Sequence, residues 1–243
     1  MFTIRIADLT IEIHNQYAYV EDLCRDYLVA NVDTPDMRIV PTGADIAYEH
    51  SLSDVTISQA YAEGICVYRL ICRQLPANFQ SFLLHGAVIE YEGRGYIFTA
   101  KSGTGKSTHV ALWQKQFGKD VHVVNGDKPI LRFAEDSLYA YGTPWCGKEG
   151  YQTNMSVPVA GICFLERAPH NEIHRISAED ALTRIFHQIL TPSDLATFDA
   201  LVPLLDRTLT QIPCYLLKCN ISEEAAVVAY TGMNGEKKTG EEK

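Results

Sequence analysis

Residues 100–107 form a glycine-rich stretch, Ala-Lys-Ser-Gly-Thr-Gly-Lys-Ser, that limits the folds this chain can adopt. The apolar run 96–99 before it predicts a strand, and the run 106–117 after it predicts a helix that ends at Gly118. A strand that enters a glycine-rich turn and leaves as a helix gathers the helix N-terminus and several backbone N–H groups around one point. The stretch therefore predicts an anion site within an α/β fold.

The same residues fit the phosphate-binding loop pattern, with Ala100 in the first place where glycine is commoner. Gly103 and Gly105 let the backbone curl. Lys106 would bring a charge to the β- and γ-phosphates, and we expect it to face solvent without a ligand, while Ser107 would bind Mg²⁺. A chance match in a Gly/Ser-rich turn is the alternative, and the flanking strand and helix favour the phosphate site. We predict ATP or another nucleoside triphosphate, with Mg²⁺, as ligands. The residues predicted to hold the nucleotide are Ser102, Gly103, Thr104, Gly105, Lys106, Ser107 and Thr108.

Three further residues are candidates for the same site. Asp127 follows the apolar run 121–124, where an acid at a strand end would support Mg²⁺, although Asn-Gly-Asp is also turn chemistry. Lys128 would contact phosphate or be merely solvated. His85 is expected on the strand that pairs with the one entering the loop, either beside the phosphates or as a hydrogen-bonded core residue. The predicted catalytic residues are Asp127, Lys106 and His85, and the predicted metal ligands are Ser107 and Asp127.

Patterning predicts three regions: an N-terminal α/β appendage (1–80), a nucleotide-binding core (81–232) and a disordered tail (233–243). In the appendage we expect strands over 3–14 and 37–40, a short helix over 19–29, and a helix from Ser58 to Leu75, ended by Pro76, with one apolar face. That face would comprise Tyr61, Ile65, Tyr68, Cys72 and Leu75. In the core, strands over 83–91 and 96–99 would form a hairpin before the loop. Later strands are expected over 121–124, 130–133, 138–141, 159–165 and 214–218, with helices after Ser177 and over 223–230.

Composition excludes some classes of function. The net charge of −9 argues against broad nucleic-acid binding, and no run approaches the length of a membrane span. The seven cysteines form no C-x-x-C pair and lie mostly in apolar runs, which predicts reduced core residues and a cytoplasmic protein. The loop 143–149 is predicted to be exposed, with Trp145 and Lys148 serving a phosphate acceptor; the alternative is that Trp145 covers an edge of the core.

Several of these residues occur together in one known family. His85-Gly86, the turn Gly93-Arg94-Gly95, residues 102–107 and Asp127 resemble the catalytic domain of HPr kinase/phosphorylase and the phosphoenolpyruvate carboxykinase-like group, over about residues 80–165. The resemblance implies a mixed sheet with flanking helices, entered through a β-hairpin, and ATP-dependent phosphorylation of a serine hydroxyl. It also implies that Lys106 binds phosphate, that Ser107 and Asp127 serve magnesium, and that His85 approaches the phosphates.

The chain departs from this family at two places. Gly126 stands where the family has a second acid, so Asp127 serves both metal and proton transfer, or the base lies elsewhere. The later glycine-rich signature and the basic substrate loop are not found, and residues 143–149 occupy that part of the chain. The acceptor therefore stays open between a protein, a peptide and a small molecule, as do oligomeric state and phosphorylase activity. The alternatives are a nucleotide-hydrolysing switch module and a small carboxykinase-like metabolic enzyme.

Overall fold

A computed structural model of the chain describes residues 1–190 and 194–235. Its helices are α1 (Ala18–Leu23), α2 (Gly43–Ser51), α3 (Gln59–Cys72), α4 (Leu75–Phe79), α5 (Lys106–Phe117), α6 (Ala178–Ile185), α7 (Leu195–Gln211) and α8 (Glu224–Asn234). Its strands are β1 (Phe2–Ile6), β2 (Leu9–Ile13), β3 (Leu28–Val29), β4 (Met37–Ile39), β5 (Ser81–Leu83), β6 (Ala87–Tyr91), β7 (Arg94–Thr99), β8 (His122–Asn125), β9 (Ile130–Ala134), β10 (Ser137–Tyr141), β11 (Ser156–Arg167), β12 (Glu172–Arg175) and β13 (Cys214–Cys219).

A small sheet in the order β3-β1-β2-β4 is built from the first 39 residues. The single strand predicted over 3–14 is wrong, because the chain reverses at Ala7 and Asp8, both with positive φ, and β1 pairs antiparallel with β2. The turn also explains why the apolar positions change from even numbers, ending at Ile6, to odd numbers from Leu9. The helix predicted over 19–29 is shorter than expected: α1 is followed by a 3₁₀ turn and then by β3.

Helix α3 begins where it was predicted, because the Ser58 hydroxyl accepts a hydrogen bond from the Tyr61 amide at 3.1 Å. It ends at Cys72, and Pro76 then lies in the first turn of α4, where its missing N–H costs nothing. The predicted apolar face is only partly buried, since Tyr61 is 48% exposed. The face that packs inward carries Ala62, Cys66, Val67 and Ile71. The helix α2 was not predicted.

The large sheet contains β7 near its centre, and this strand carries the chain into the glycine-rich loop. The predicted hairpin forms as β6–β7, with Tyr91 opposite Arg94, although the strand predicted over 83–91 is divided into β5 and β6. On its other edge β7 pairs in parallel with β11, so that Ile97 lies opposite Ile162. Helix α5 packs on this sheet through Trp113, whose ring lies 5.1 Å from that of Tyr96. The predicted fold class, a mixed α/β sheet with flanking helices, is confirmed.

The C-terminal half contains elements that the pattern missed. Helix α7 has 17 residues and buries Leu201, Leu204, Leu205 and Leu209, and β12 pairs with β13. The apolar pattern after Ser177 predicts that one face of α6 is buried, with Ala181, Leu182, Ile185, Phe186 and Ile189. That prediction is partly wrong, because Leu182 is 45% exposed. Helix α8 continues to Asn234, into the predicted tail, and residues 236–243 lie outside the described residues.

The small sheet and the large sheet share one apolar cluster. Side chains of β1 and β2 pack in it with Ile130, Tyr141 and Trp145 of the core. The Tyr141 hydroxyl also donates to the Asp8 carboxylate at 2.6 Å. These contacts hold the appendage against the core. The predicted boundary between residues 80 and 81 coincides with the start of the large sheet at β5 and stays a prediction.

Candidate active site

The glycine-rich loop has the backbone geometry that its sequence predicts. The chain leaves β7 after Thr99, and Gly103 and Gly105 adopt φ of 79° and 126°, conformations that residues with a side chain rarely take. Gly105 is the N-cap of α5, so the unpaired N–H groups of the first helical turn open at the loop. The loop and this helix end line a cavity of about 830 Å³, called here the loop cavity. The predicted residues Ser102, Gly103, Gly105, Lys106, Ser107 and Thr108 all line it.

Lys106 is buried, which corrects the expectation that it faces solvent. Its side chain is held above the loop: the ammonium donates to the Ala100 carbonyl at 3.1 Å and lies 3.0 Å from His85 Nε2. The residue is 8% exposed, and burial lowers its pKa even though Asp127 is nearby. An anion bound at the loop would therefore meet a desolvated and already positioned cation.

His85 lies between β5 and β6 rather than on the predicted strand. Its backbone N–H donates to the Gln188 carbonyl at 2.6 Å, and its Nδ1 lies 3.1 Å from Gln188 Oε1. Its Nε2 lies 3.2 Å from Asp127 Oδ1 as well as 3.0 Å from the Lys106 ammonium. Nε2 can make a hydrogen bond to only one of these partners at a time. Its lone pair accepts from the Lys106 ammonium, or its N–H donates to the Asp127 carboxylate. His85 therefore links the lysine to the carboxylate.

Asp127 occupies a turn, as one interpretation of its sequence context predicts, and it also lines the loop cavity, while its role toward Mg²⁺ stays a prediction. Its backbone N–H donates to Asn125 Oδ1 at 2.8 Å, and its carbonyl accepts from Gly86 at 2.9 Å. Its two carboxylate oxygens contact His85 and the Lys128 ammonium. Burial alone would raise the pKa of Asp127, but the His85 hydrogen bond and the Lys128 charge outweigh it and bring the pKa to about 2. The carboxylate is charged at neutral pH.

The glycine before this acid is required by packing. A Cβ placed on Gly126 would lie 2.8 Å from the Cys146 carbonyl oxygen and 3.3 Å from Tyr151 Cβ. Because the backbone of loop 143–149 fills this space, a second acid does not fit at position 126 without a shift of that loop. The departure from the acidic pair at Gly126-Asp127 thus has a steric cause in this fold.

Lys128 is not a freely solvated side chain. Its ammonium pairs with the Asp127 carboxylate and lies 5.6 Å from the centroid of the Tyr68 ring in α3. A cation at this distance from an aromatic face is attracted to it. Lys128 thereby connects the acidic residue of the core to the appendage.

The residues expected to hold magnesium fit that ion. Ser107, which carries a hydroxyl, and Asp127, which carries a carboxylate, line the same cavity as Lys106. Mg²⁺ is commonly held by one or two protein oxygen ligands together with phosphate oxygens and water. In the described part of the chain, no group of three or more His, Cys, Asp or Glu side chains converges as a metal cage. Protein ligands for Mg²⁺ would thus be the hydroxyl and the carboxylate, completed by a nucleotide.

The loop 143–149 contacts the cavity differently from the prediction. Trp145 is only 8% exposed, donates from Nε1 to the Gly64 carbonyl at 3.0 Å and packs edge-on against Tyr68. It therefore covers an edge of the core, the alternative considered from the sequence, and also lines the cavity. Lys148 lines the cavity too.

Two site residues were not predicted from the sequence. Arg167, at the end of β11, donates to the carbonyls of Gly103 and Thr104 and so braces the loop. Gln188 holds both the backbone and the ring of His85 from 103 positions along the chain. Neither lies in a local motif, because each is brought to the site by the sheet and by the segment after α6.

The structure also bears on the cysteines and on the length of the apolar helices. All seven cysteines are free, and six of them are buried, as expected for reduced core residues. None of the helices within the described ranges is long and apolar enough to cross a membrane.

Comparison with known proteins adds a distant likeness in fold. No protein-family model and no curated protein matches the chain. Among solved structures, the chain is similar to the HPr(Ser) kinase/phosphatase from Coxiella burnetii, at 11% sequence identity and a TM-score of 0.38, over 63% of this chain and 88% of that one. A likeness this loose does not assign an activity to the chain.

Proposed function

We propose that this protein is a magnesium-dependent phosphotransferase that moves the γ-phosphoryl group of ATP, or of another nucleoside triphosphate, to a hydroxyl of serine type. One observation carries the proposal. Lys106, His85 and Asp127 form an unbroken chain of contacts at 3.0 and 3.2 Å, and all three line the loop cavity together with the glycine-rich loop. Phosphoryl transfer depends chiefly on positioning and charge neutralisation, and these are the groups it requires.

Each group has a separate task in the proposed reaction. The loop N–H groups and the α5 N-terminus bind phosphate oxygens, and Lys106 neutralises charge on the β- and γ-phosphates. Ser107 and Asp127 would hold Mg²⁺, which supplies further charge neutralisation when bound. When Lys106 turns toward phosphate, its contact with His85 Nε2 is broken, and Gln188, which accepts from the ring at Nδ1, keeps the imidazole in place beside Asp127.

The transfer step balances without another reactant. The acceptor hydroxyl oxygen forms a bond to the γ-phosphorus as the bond from that phosphorus to the β,γ-bridging oxygen breaks. The electron pair of the broken bond leaves with the nucleoside diphosphate, and the hydroxyl proton passes to the Asp127 carboxylate. Because the acid position before Asp127 is a packed glycine, this one carboxylate serves both metal and proton.

A labelling experiment tests the proposal. The protein is incubated with γ-labelled ATP, Mg²⁺ and an extract of cells that produce it, and labelled products are separated from inorganic phosphate. We expect label in a defined hydroxyl-bearing acceptor, and none with the variant Lys106→Ala. Label released only as inorganic phosphate would instead identify a nucleotide-hydrolysing switch module.

A further inference from the structure

Asp127, which would accept the proton of the acceptor hydroxyl, is separated from the appendage by one side chain. Lys106 marks the β/γ end of a bound triphosphate, and it is linked through His85 to Asp127. The next contact outward is Lys128, which joins Asp127 to the ring of Tyr68. The appendage therefore borders the reacting end of the site.

The appendage side of the loop cavity is uncharged and largely aromatic. Its lining residues from α1 and α3 are Tyr19, Leu23, Tyr61, Gly64, Ile65 and Tyr68. We call this set the aromatic wall. The charged residues that line the cavity all belong to the core. They lie in or near the glycine-rich loop, at or beside Asp127, or in loop 143–149. The cavity thus has a polar half suited to a triphosphate and an apolar half that phosphates would not occupy.

The wall is held in a fixed position against the core. The Gly64 carbonyl accepts from the Trp145 indole, and Trp145 packs on Tyr68 with 5.8 Å between ring centroids. A Cβ at Gly64 would lie 3.2 Å from the Tyr19 ring, so the glycine allows α1 and α3 to approach closely. Tyr19 and Tyr61 are 38% and 48% exposed, and the wall therefore continues from the interior to the protein surface.

We infer that the aromatic wall binds the phosphate acceptor, and that this acceptor is a peptide segment whose hydroxyl residue has an apolar or aromatic neighbour. This inference rests on the proposed kinase function and names its substrate class. An extended segment suits the wall because the wall runs outward to solvent, whereas an enclosed pocket would suit a small molecule. The other described cavity at the loop, about 1130 Å³, is lined by neither Lys106 nor Asp127, so an acceptor there would not meet the transferring groups.

The test uses the full-length protein, MgATP and peptide pools with a central serine flanked by apolar, aromatic or charged residues. We expect label transfer to favour the pools with apolar and aromatic neighbours. The variants Tyr68→Ala and Tyr61→Ala should lower kcat/KM for the preferred pool about tenfold, the effect of removing one aromatic anchor. Calorimetry should show an affinity for MgATP within about twofold of wild type. Tyr61 is the more exposed of the two, so its variant is the safer for folding.

Tyr48→Ala is the matched control, because Tyr48 is an exposed tyrosine on α2 that does not line the loop cavity. The inference is overturned if the wall variants weaken MgATP and leave the peptide preference intact, since the wall would then hold the nucleoside. It is also overturned, with the kinase function intact, if label enters only small hydroxyl compounds. If label enters no acceptor of any kind, the inference and the proposed function both fail.

Discussion

Replacement of the Asp127 carboxylate by an amide separates its electrostatic role from its shape. Asp127→Asn keeps the side-chain volume and one acceptor oxygen but removes the charge that faces His85 and Lys128. We expect turnover to fall at least about a hundredfold, the scale of losing one main electrostatic contact. Binding of MgATP should lose its metal-dependent increment. Binding of ATP without metal should stay equal or tighten, because one negative charge facing the phosphates is gone.

The same substitution has a predictable effect on folding. The pKa of Asp127 falls from an ordinary 3.8 to about 2, which corresponds to about 2 kcal/mol of stability at neutral pH. Because the pKa in the folded state is the lower one, this stability is complete above the ordinary pKa and is lost as the pH falls through 2. Asp127→Asn should therefore be less stable than wild type at pH 7, and the difference should shrink at pH 2.

Two measurements examine these expectations. Calorimetric titrations with MgATP, and with ATP plus a chelator, give the metal increment for each protein, and urea unfolding at several pH values gives the stability. Asp136→Asn is the control, since Asp136 lies fully exposed at the β9–β10 turn. If Asp127→Asn keeps the whole metal increment, Asp127 does not hold Mg²⁺ and is a turn residue alone.

Two further substitutions test the surroundings of this acid. Gly126→Asp, which places a second acid beside Asp127, should destabilise the fold by about 1–3 kcal/mol, as an overpacked site does, and should not raise turnover; a stable and faster variant in urea and turnover assays would disprove the steric explanation. Lys148→Ala should leave the affinity for MgATP unchanged and lower turnover with the acceptor, because Lys148 lines the cavity from the core loop; unchanged turnover would remove Lys148 from the site.

The parts of the fold that local chemistry determines were predictable from the sequence. The β6–β7 hairpin follows from its glycine turn, and α5 begins at Lys106 and ends at Phe117 because glycines stand at both ends. The small sheet was harder to predict. Apolar residues occupy alternate positions on both sides of a two-residue turn, and only their shift from even to odd numbers after Ala7 marks the reversal of the chain. Helix α7 was not predicted from the sequence, although it supplies much of the core.

The site divides in the same way. The loop and Asp127 lie in short motifs whose residue types state their chemistry. Gln188 and Arg167 act through contacts between distant parts of the chain, so their positions depend on sheet topology that a local pattern does not contain. The aromatic wall was not predicted from the sequence, for another reason. Tyr61 and Tyr68 recur at helical spacing along α3, which predicts a face buried in the core, whereas in the structure both line the cavity.

The most direct test of the account is the affinity for MgATP, measured by calorimetry on wild type and on Lys106→Ala. Loss of a charged hydrogen-bond donor should weaken binding at least about tenfold, while the melting temperature shows whether the variant remains folded. Lys115→Ala serves as the control, because Lys115 lies on the same helix with its ammonium paired to Glu223 at 2.7 Å. We predict wild-type affinity for Lys115→Ala and a marked loss for Lys106→Ala. Equal affinities in all three proteins would contradict binding of a nucleoside triphosphate at this loop.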